Sequence, residues 1–313
     1  MTYDDPAVPH LDAQQRVLLA LPLNAPFGQG PAAETLARAA EQAGFDLFSL
    51  TDHPYGARSF EAYGLVGYLL GRTSRIGGYV GVSNLPLRPA PMLARTVATL
   101  SSVSGGRLVL ALGAGGFWEH IARMGVDPLT PGEAVAALAE GIEVIRGLTG
   151  SRGGAFDFAG EHYRVDHLAP SAVPTPPIWT GAGGPKSLAL TGRRADGWIP
   201  QSGADWLSTT YREGRPRIDD AARSVGRSPD EIRTVFNIGG VLARQDLPAT
   251  RGDDGRLVGG SARQWVDELA VAVLDHGAGG FNVGIADESG ARTAEVVRRF
   301  GDEVVAPLRE RLG

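Results

Sequence analysis

The sequence has no cysteine, a single lysine and no long apolar run. Without cysteine there can be no disulfide, thiolate metal site, iron–sulfur cluster or cysteine nucleophile. The lone lysine is Lys186, and all other basic side chains apart from histidine are arginine. Base composition of the genome is the simplest source of that skew. Acidic residues (35) outnumber Lys and Arg (30), giving a net charge of −5 with no basic block. Neither nucleic acid nor an anionic membrane is therefore an expected partner. Apolar stretches such as Val17-Leu18-Leu19-Ala20-Leu21 fall far short of a membrane span. The first fifteen residues are polar and acidic, without the charged-then-apolar pattern of a secretory leader, and a cytoplasmic location is expected.

What is present is an alternation of apolar strand, glycine-rich or polar loop and amphipathic helix. Residues 17–23 read as a strand and 31–44 as a helix closed by Gly44. Strand 46–51 precedes helix 60–72, strand 75–83 helix 89–104, and strand 107–113 helix 132–148. The second half repeats the pattern with 178–181 and 185–194, 197–201 and 206–225, 234–243 and 262–276, and 280–286 and 291–312. Strands alternating with helices imply a parallel sheet, and eight right-handed crossovers close it into an α/β barrel of the (β/α)8 type. The expected organisation is an N-terminal tail over 1–16 and one barrel domain over 17–313. Two insertions are expected. One is a small hairpin within about 150–176, and the other spans 245–260.

Chemistry in such a barrel sits at the C-terminal ends of the strands. After the fifth strand comes Gly181-Ala182-Gly183-Gly184-Pro185-Lys186-Ser187, opening a helix. Glycines let a ligand approach the backbone, the helix start offers unpaired N–H groups, and Lys186 and Ser187 add a charge and a hydroxyl. The run is a plausible phosphate cradle, although its spacing matches neither a P-loop nor a dinucleotide fingerprint, and a plain glycine turn would read the same way. Asp52-His53 ends the second strand, where His53 can serve as acid or base. A proline-dense loop, Ser83-Asn84-Leu85-Pro86-Leu87-Arg88-Pro89, ends the third. Gly113-Ala114-Gly115-Gly116 ends the fourth and leaves room for a flat ligand walled by Phe117 and Trp118. No metal is expected, since His-Glu-x-x-His and clustered carboxylates are missing, as is a Gly-x-Ser-x-Gly elbow. A Schiff-base aldolase is disfavoured because the only lysine stands at a helix start.

Four segments together resemble a known family. They are Ala40-Glu41-Gln42-Ala43-Gly44-Phe45-Asp46 leading to Thr51-Asp52-His53, residues 83–100, residues 105–126, and 181–187 with Thr191-Gly192-Arg193-Arg194-Ala195-Asp196-Gly197-Trp198. Over about 20–300 the chain resembles the bacterial luciferase-like flavin-dependent oxidoreductases. The Gly-Ala-Gly-Gly-Pro-Lys turn is most similar to the branch that uses the deazaflavin coenzyme F420. The resemblance implies a cofactor phosphate on Gly181, Gly183, Gly184, Lys186 and Ser187, and a ring lying against the ends of strands three and four. It implies contacts from Asp52, Ser83, Asn84, Ala114 and Gly115, a non-proline cis peptide at Ser83–Asn84, and His53 as the acid or base. The sugar-phosphate dehydrogenases of that branch carry a glutamate where this chain has Gly116 and a tryptophan where it has Ala57. A different organic substrate, near Phe27, Phe117 and Trp118, is therefore expected. The function implied is hydride transfer between F420 and that substrate. The alternatives are an FMN-dependent monooxygenase and a non-catalytic flavin-binding protein. Homodimerisation is expected from the same resemblance.

Overall fold

Eight strands, numbered here β1 to β8, form the framework: Leu18–Pro22, Leu47–Leu50, Gly77–Val80, Leu108–Gly113, Ile178–Gly181, Gly197–Ile199, Arg233–Ala243 and Gly280–Ala286. Most are short runs buried on both faces, as parallel strands covered by helices must be. Each strand pairs in parallel with its neighbours. Pairing of β6 with β7 (Gly197 with Arg233, Trp198 with Thr234) closes the sheet into a barrel. The coordinates are a computed structural model in which residues 16–150 and 154–313 are described. Most of the expected tail, and residues 151–153 of the expected hairpin insertion, lie outside the described residues. Arg16 pairs with the Asp46 carboxylate at 3.1 Å.

The helices α1 to α7 are Gly30–Gln42, Ala62–Arg72, Ala90–Ser104, Pro131–Leu148, Pro185–Arg194, Thr209–Arg223 and Ala262–Leu274. The last, α8, begins as Ala294–Phe300 and runs through a π-turn at Gly301–Val305 into Ala306–Leu312. Local chemistry sets their ends. Pro131 opens α4 behind a reciprocal cap between Thr130 and Glu133, and α3 stops where Gly105 takes φ +67°. Trp206, expected inside α6, lies ahead of it and packs edge-on against Phe236 and Phe281. The hairpin pairs Phe156–Ala159 with Arg164–Leu168. Between β7 and α7, Gly259–Ser261 adds a short strand to the upper end of β7.

Two apolar layers flank the sheet. Inside the barrel, Leu18, Leu47, Tyr79, Val109, Ala111, Trp179, Ile199 and Val235 fill the lumen, with Val82 packed on them. Outside, Leu19, Phe48, Leu110, Phe236 and Phe281 meet helix residues such as Leu69, Val97, Ile142 and Phe300. The filled lumen makes the barrel a solid support, so a ligand can sit only on its rim.

Candidate active site

The third strand ends earlier than its sequence suggests, and this shapes the rim. After Val80 the chain passes through a cis peptide joining Gly81 to Val82. The cis bond was expected at Ser83–Asn84, but those two residues form a short extended pairing with Leu112 and Gly113 of β4. They are pinned there: Ser83 Oγ meets the Tyr63 hydroxyl at 2.7 Å, and the Asn84 N–H donates to Asp52 Oδ2 at 2.8 Å. The irregular backbone is displaced to the preceding glycine. Val82 then leans across the barrel mouth, where a β-carbon on Gly113 would come within 2.8 Å of its side chain and one on Gly181 within 3.2 Å. Val82, Gly113 and Gly181 thus form a flat, side-chain-poor floor spanning β3, β4 and β5.

The opposite arc of the mouth is polar. On the lumen face above the apolar layer, the Ser49 hydroxyl donates to Asn282 Oδ1 at 2.9 Å, and Asn282 Nδ2 donates to Asn237 Oδ1 at 2.8 Å. Asn24 Oδ1, just after β1, accepts from both the Thr51 N–H and its hydroxyl.

Asp52 is buried, and its carboxylate is fully engaged. Arg88 Nε lies 2.6 Å from Oδ2, and an Arg88 terminal nitrogen 2.7 Å from Oδ1. Arg88 also reaches Glu61 at 2.5 Å and stacks over the Tyr63 ring. Burial works against the Arg88 charge, but the bonds and charges of Asp52 and Glu61 outweigh it and raise its pKa. Burial also works against Glu61, yet the Gly64 N–H and Arg88 hold its carboxyl below the usual range. Asp52 therefore anchors the strand-two loop to the strand-three loop instead of offering free oxygens to the mouth.

His53, the next residue, is exposed. The sequence His53-Pro54-Tyr55-Gly56 makes a turn closed by the Gly56 N–H donating to the His53 carbonyl at 2.9 Å. Proline second and glycine fourth are what such a turn favours. It folds Tyr55 back so that its hydroxyl meets His53 Nδ1 at 2.7 Å. Phe117 comes edge-on to His53 from the strand-four loop, and His120 stacks on Tyr55 with ring centres 5.1 Å apart. Phe117 and His120 are also in ring contact, which completes a box of four rings bridging the two loops. Burial and the Asp52 charge raise the Tyr55 pKa, keeping the phenol protonated.

The strand-four loop turns through Gly115 at φ +98° and Phe117 at φ +53°. A β-carbon on Gly115 would stand 2.9 Å from Trp118 and 3.0 Å from Pro86. Trp118 is half-buried and starts the short helix Trp118–Ala122, whereas Phe117 is 67% exposed. Phe27 is also exposed, in edge contact with Phe60 across the strand-one and strand-two loops. Ala114 lies between the floor and this loop, partly buried.

After β5, Gly183, Gly184, Pro185 and Lys186 are exposed at the start of α5. Ser187 is spoken for, because its hydroxyl accepts from the Gly184 N–H at 3.2 Å and donates to the Gly184 carbonyl at 2.9 Å. The remaining first-turn N–H groups have no intrahelical acceptor, so the helix end and Lys186 offer positive potential to an anion. Gly183 faces the Gln201 side chain after β6. The floor, the exposed helix end and the histidine box suit a flat coenzyme with an anionic tail. A cavity of about 870 Å³ opens at the other end of the barrel. There Arg215, Arg227 and Arg233 already donate to backbone carbonyls, so it makes a poor ligand site.

Several residues of this site escaped the sequence reading: Tyr55, Glu61, Tyr63, Val82, Arg88 as the partner of Asp52, His120 and the two asparagines. The turn motif at His53 was a usable signal for Tyr55. Nothing local in the sequence marks the others.

A closed parallel barrel with its polar side chains gathered at the C-terminal strand ends defines a barrel enzyme architecture. Residues 23–251 match the model of the luciferase-like monooxygenase family, and the chain belongs to that family. An F420-dependent glucose-6-phosphate dehydrogenase of Nakamurella multipartita is 33% identical over 222 residues, covering 68% of this chain and 63% of that protein. A 5,10-methylenetetrahydromethanopterin reductase of Archaeoglobus fulgidus is 32% identical over 206 residues, covering 64% and 58%. The chain thus spans less than two thirds of either relative. The structure of an F420-dependent secondary alcohol dehydrogenase in complex with an F420-acetone adduct is similar in fold, with a TM-score of 0.78, 18% identity and coverage of 93% of this chain and 99% of that one.

Proposed function

We propose that the protein is an F420-dependent oxidoreductase that moves hydride between the deazaflavin and a small organic substrate, with His53 exchanging the accompanying proton. The observation that carries this reading is His53 exposed just after β2, its ring held by Tyr55 and edge-on to Phe117, on the same rim as the Val82–Gly113–Gly181 floor. The names of the relatives from Nakamurella and Archaeoglobus support the choice of coenzyme. F420, when bound, supplies the hydride chemistry, and the protein supplies orientation and proton management.

Gly181, Gly183, Gly184, Lys186 and the start of α5 would hold the anionic tail. Val82, Gly113, Ala114 and Gly115 would support the ring, with Ser83, Asn84 and Asp52 fixing that support from behind. His53 Nε2 would hold or release a proton at the substrate's oxygen. Phe117, Trp118 and Phe27 would line the substrate side and exclude water. A homodimer is part of the same proposal, and light scattering tests it.

Parallel titration of the protein with F420 and FMN, followed by fluorescence, tests the reading. F420 should saturate at micromolar concentration or below while FMN does not. The reverse preference would favour the monooxygenase alternative. His53→Ala should keep F420 binding and lose turnover, whereas a cofactor-storage protein would be indifferent to the change.

A further inference from the structure

We infer that Tyr55 is a positioning residue that donates its hydroxyl proton to His53 Nδ1, so that neutral His53 carries its own proton on Nε2 and faces the mouth as a hydrogen-bond donor. The inference deepens the proposed function and rests on it only for the consequence for turnover. Its starting point is the 2.7 Å contact between Nδ1 and the phenol oxygen. Two neutral groups can share that contact in either direction, but not equally well. A phenol, with an ordinary pKa of about 10, is a stronger donor than a neutral imidazole N–H, and an unprotonated imidazole nitrogen is a stronger acceptor than a phenol oxygen. The bond on one ring nitrogen then decides which nitrogen carries the proton.

The surroundings hold this direction. The phenol is kept protonated by burial and by Asp52, the residue before His53. The Asp52 carboxylate is itself committed to Arg88 and the Asn84 N–H, so it does not compete for the imidazole. From the facing loop come Phe117, uncharged, and His120, which stacks flat on Tyr55 with 19° between the ring planes. Glu119 on the same short helix is paired with Arg123. Within the turn, Pro54 and the Gly56 N–H bond to the His53 carbonyl leave Tyr55 little freedom to swing away. Among the described residues His53 Nε2 has no protein hydrogen-bond partner, which leaves that atom for a ligand.

The chemical consequence is a choice of substrate group. A neutral Nε2–H meets an acceptor, so the substrate form recognised by the resting enzyme carries a carbonyl or similar oxygen. That would match a direction in which the substrate is reduced: reduced F420 would supply the hydride and be oxidised, and as the Nε2 proton passes to the substrate oxygen the Tyr55 hydroxyl proton would move to Nδ1, keeping the ring neutral and leaving the charge on the phenolate. Protonation of Nε2 from solvent, with return of the Nδ1 proton to the Tyr55 phenolate, would complete the cycle.

Nitrogen-15 NMR of histidine-labelled protein, recorded well above the imidazole titration and without coenzyme, reads the tautomer directly. The His53 signals, assigned by their loss in His53→Ala, should show a single Nε2–H form in the parent protein. Tyr55→Phe, which keeps the ring and its stacking on His120, should convert this to a mixture of tautomers. His120→Ala should leave the tautomer unchanged. An Nδ1–H form in the parent protein, or no change in Tyr55→Phe, would overturn the assignment. With F420 and a panel of carbonyl substrates, Tyr55→Phe should lower kcat about tenfold with little change in F420 affinity. If His53→Ala turns over normally while the tautomer result holds, the proposed function fails and the positioning of His53 by Tyr55 stands.

Discussion

Val82 stands so close to Gly113 that a β-carbon on the glycine would meet its Cγ2 at 2.8 Å. The contact joins the irregular end of β3 to the regular end of β4 and makes the floor of the mouth one surface. Gly113→Ala should push Val82 upward, into the place that the proposed function gives the ring. Overpacking of this kind costs about 1–3 kcal/mol. We expect F420 affinity to fall at least tenfold, about 1.4 kcal/mol, with a smaller change in thermal midpoint. Fluorescence titration and calorimetry on the same sample separate the two, and unchanged affinity would remove the floor from the binding site.

Asp52 and Arg88 give a second test. The Asp52 side chain is only 1% exposed and the Arg88 side chain 18%. Taking away one partner of such a buried pair leaves an uncompensated charge, a loss of about 3–5 kcal/mol. Arg88→Ala should therefore destabilise the fold by about 3 kcal/mol in urea unfolding. Combining it with Asp52→Asn should recover part of the loss, because the stranded charge is gone. Additive losses in the double-mutant cycle would show that the two side chains do not act as a pair.

Much of the frame around these pairs can be read from the sequence, for reasons that are local. Apolar runs, Gly44 as a stop and the proline at the start of α5 act within a few residues, so the strand–helix alternation and the eightfold count are visible. The cradle glycines and His53 are visible for the same reason. The Asp52–Arg88 pair links residues 36 apart through the fold, and the Val82 floor depends on where β3 leaves the barrel. Neither leaves a periodic or compositional trace. The displaced cis peptide belongs to the same class, since pinning of Ser83 and Asn84 comes from Tyr63 and Asp52 on the neighbouring loop and helix.

Acid should loosen the site through Glu61. Its folded-state pKa lies below the ordinary value of 4.5, held there by the Gly64 N–H and Arg88 against the effect of burial. The stabilisation is present above about pH 4.5 and is lost as pH falls through the lowered folded value. Glu61 also caps α2, so Glu61→Ala should cost about 1 kcal/mol at neutral pH, a modest figure because the side chain is 55% exposed. The gap between parent and variant in urea midpoint should narrow on going from pH 7 to pH 3.5. A constant gap would exclude an ionised Glu61 as its source.

Lys186 is the only lysine and lies exposed in the first turn of α5. Lys186→Ala should weaken F420 binding by about tenfold at low ionic strength, and the deficit should shrink near 1 M salt, where screening acts within about 3 Å. Equal affinities at low salt would place the anionic tail elsewhere.

A crystal structure of the protein soaked with F420 is the most direct test. The expected result has the tail on the backbone of residues 181–187, the ring over Val82 and Gly113, and its reactive edge within hydrogen-bond reach of a substrate atom beside His53 Nε2. A coenzyme bound away from the C-terminal rim, or a ring whose edge is turned from His53, would contradict the assignment.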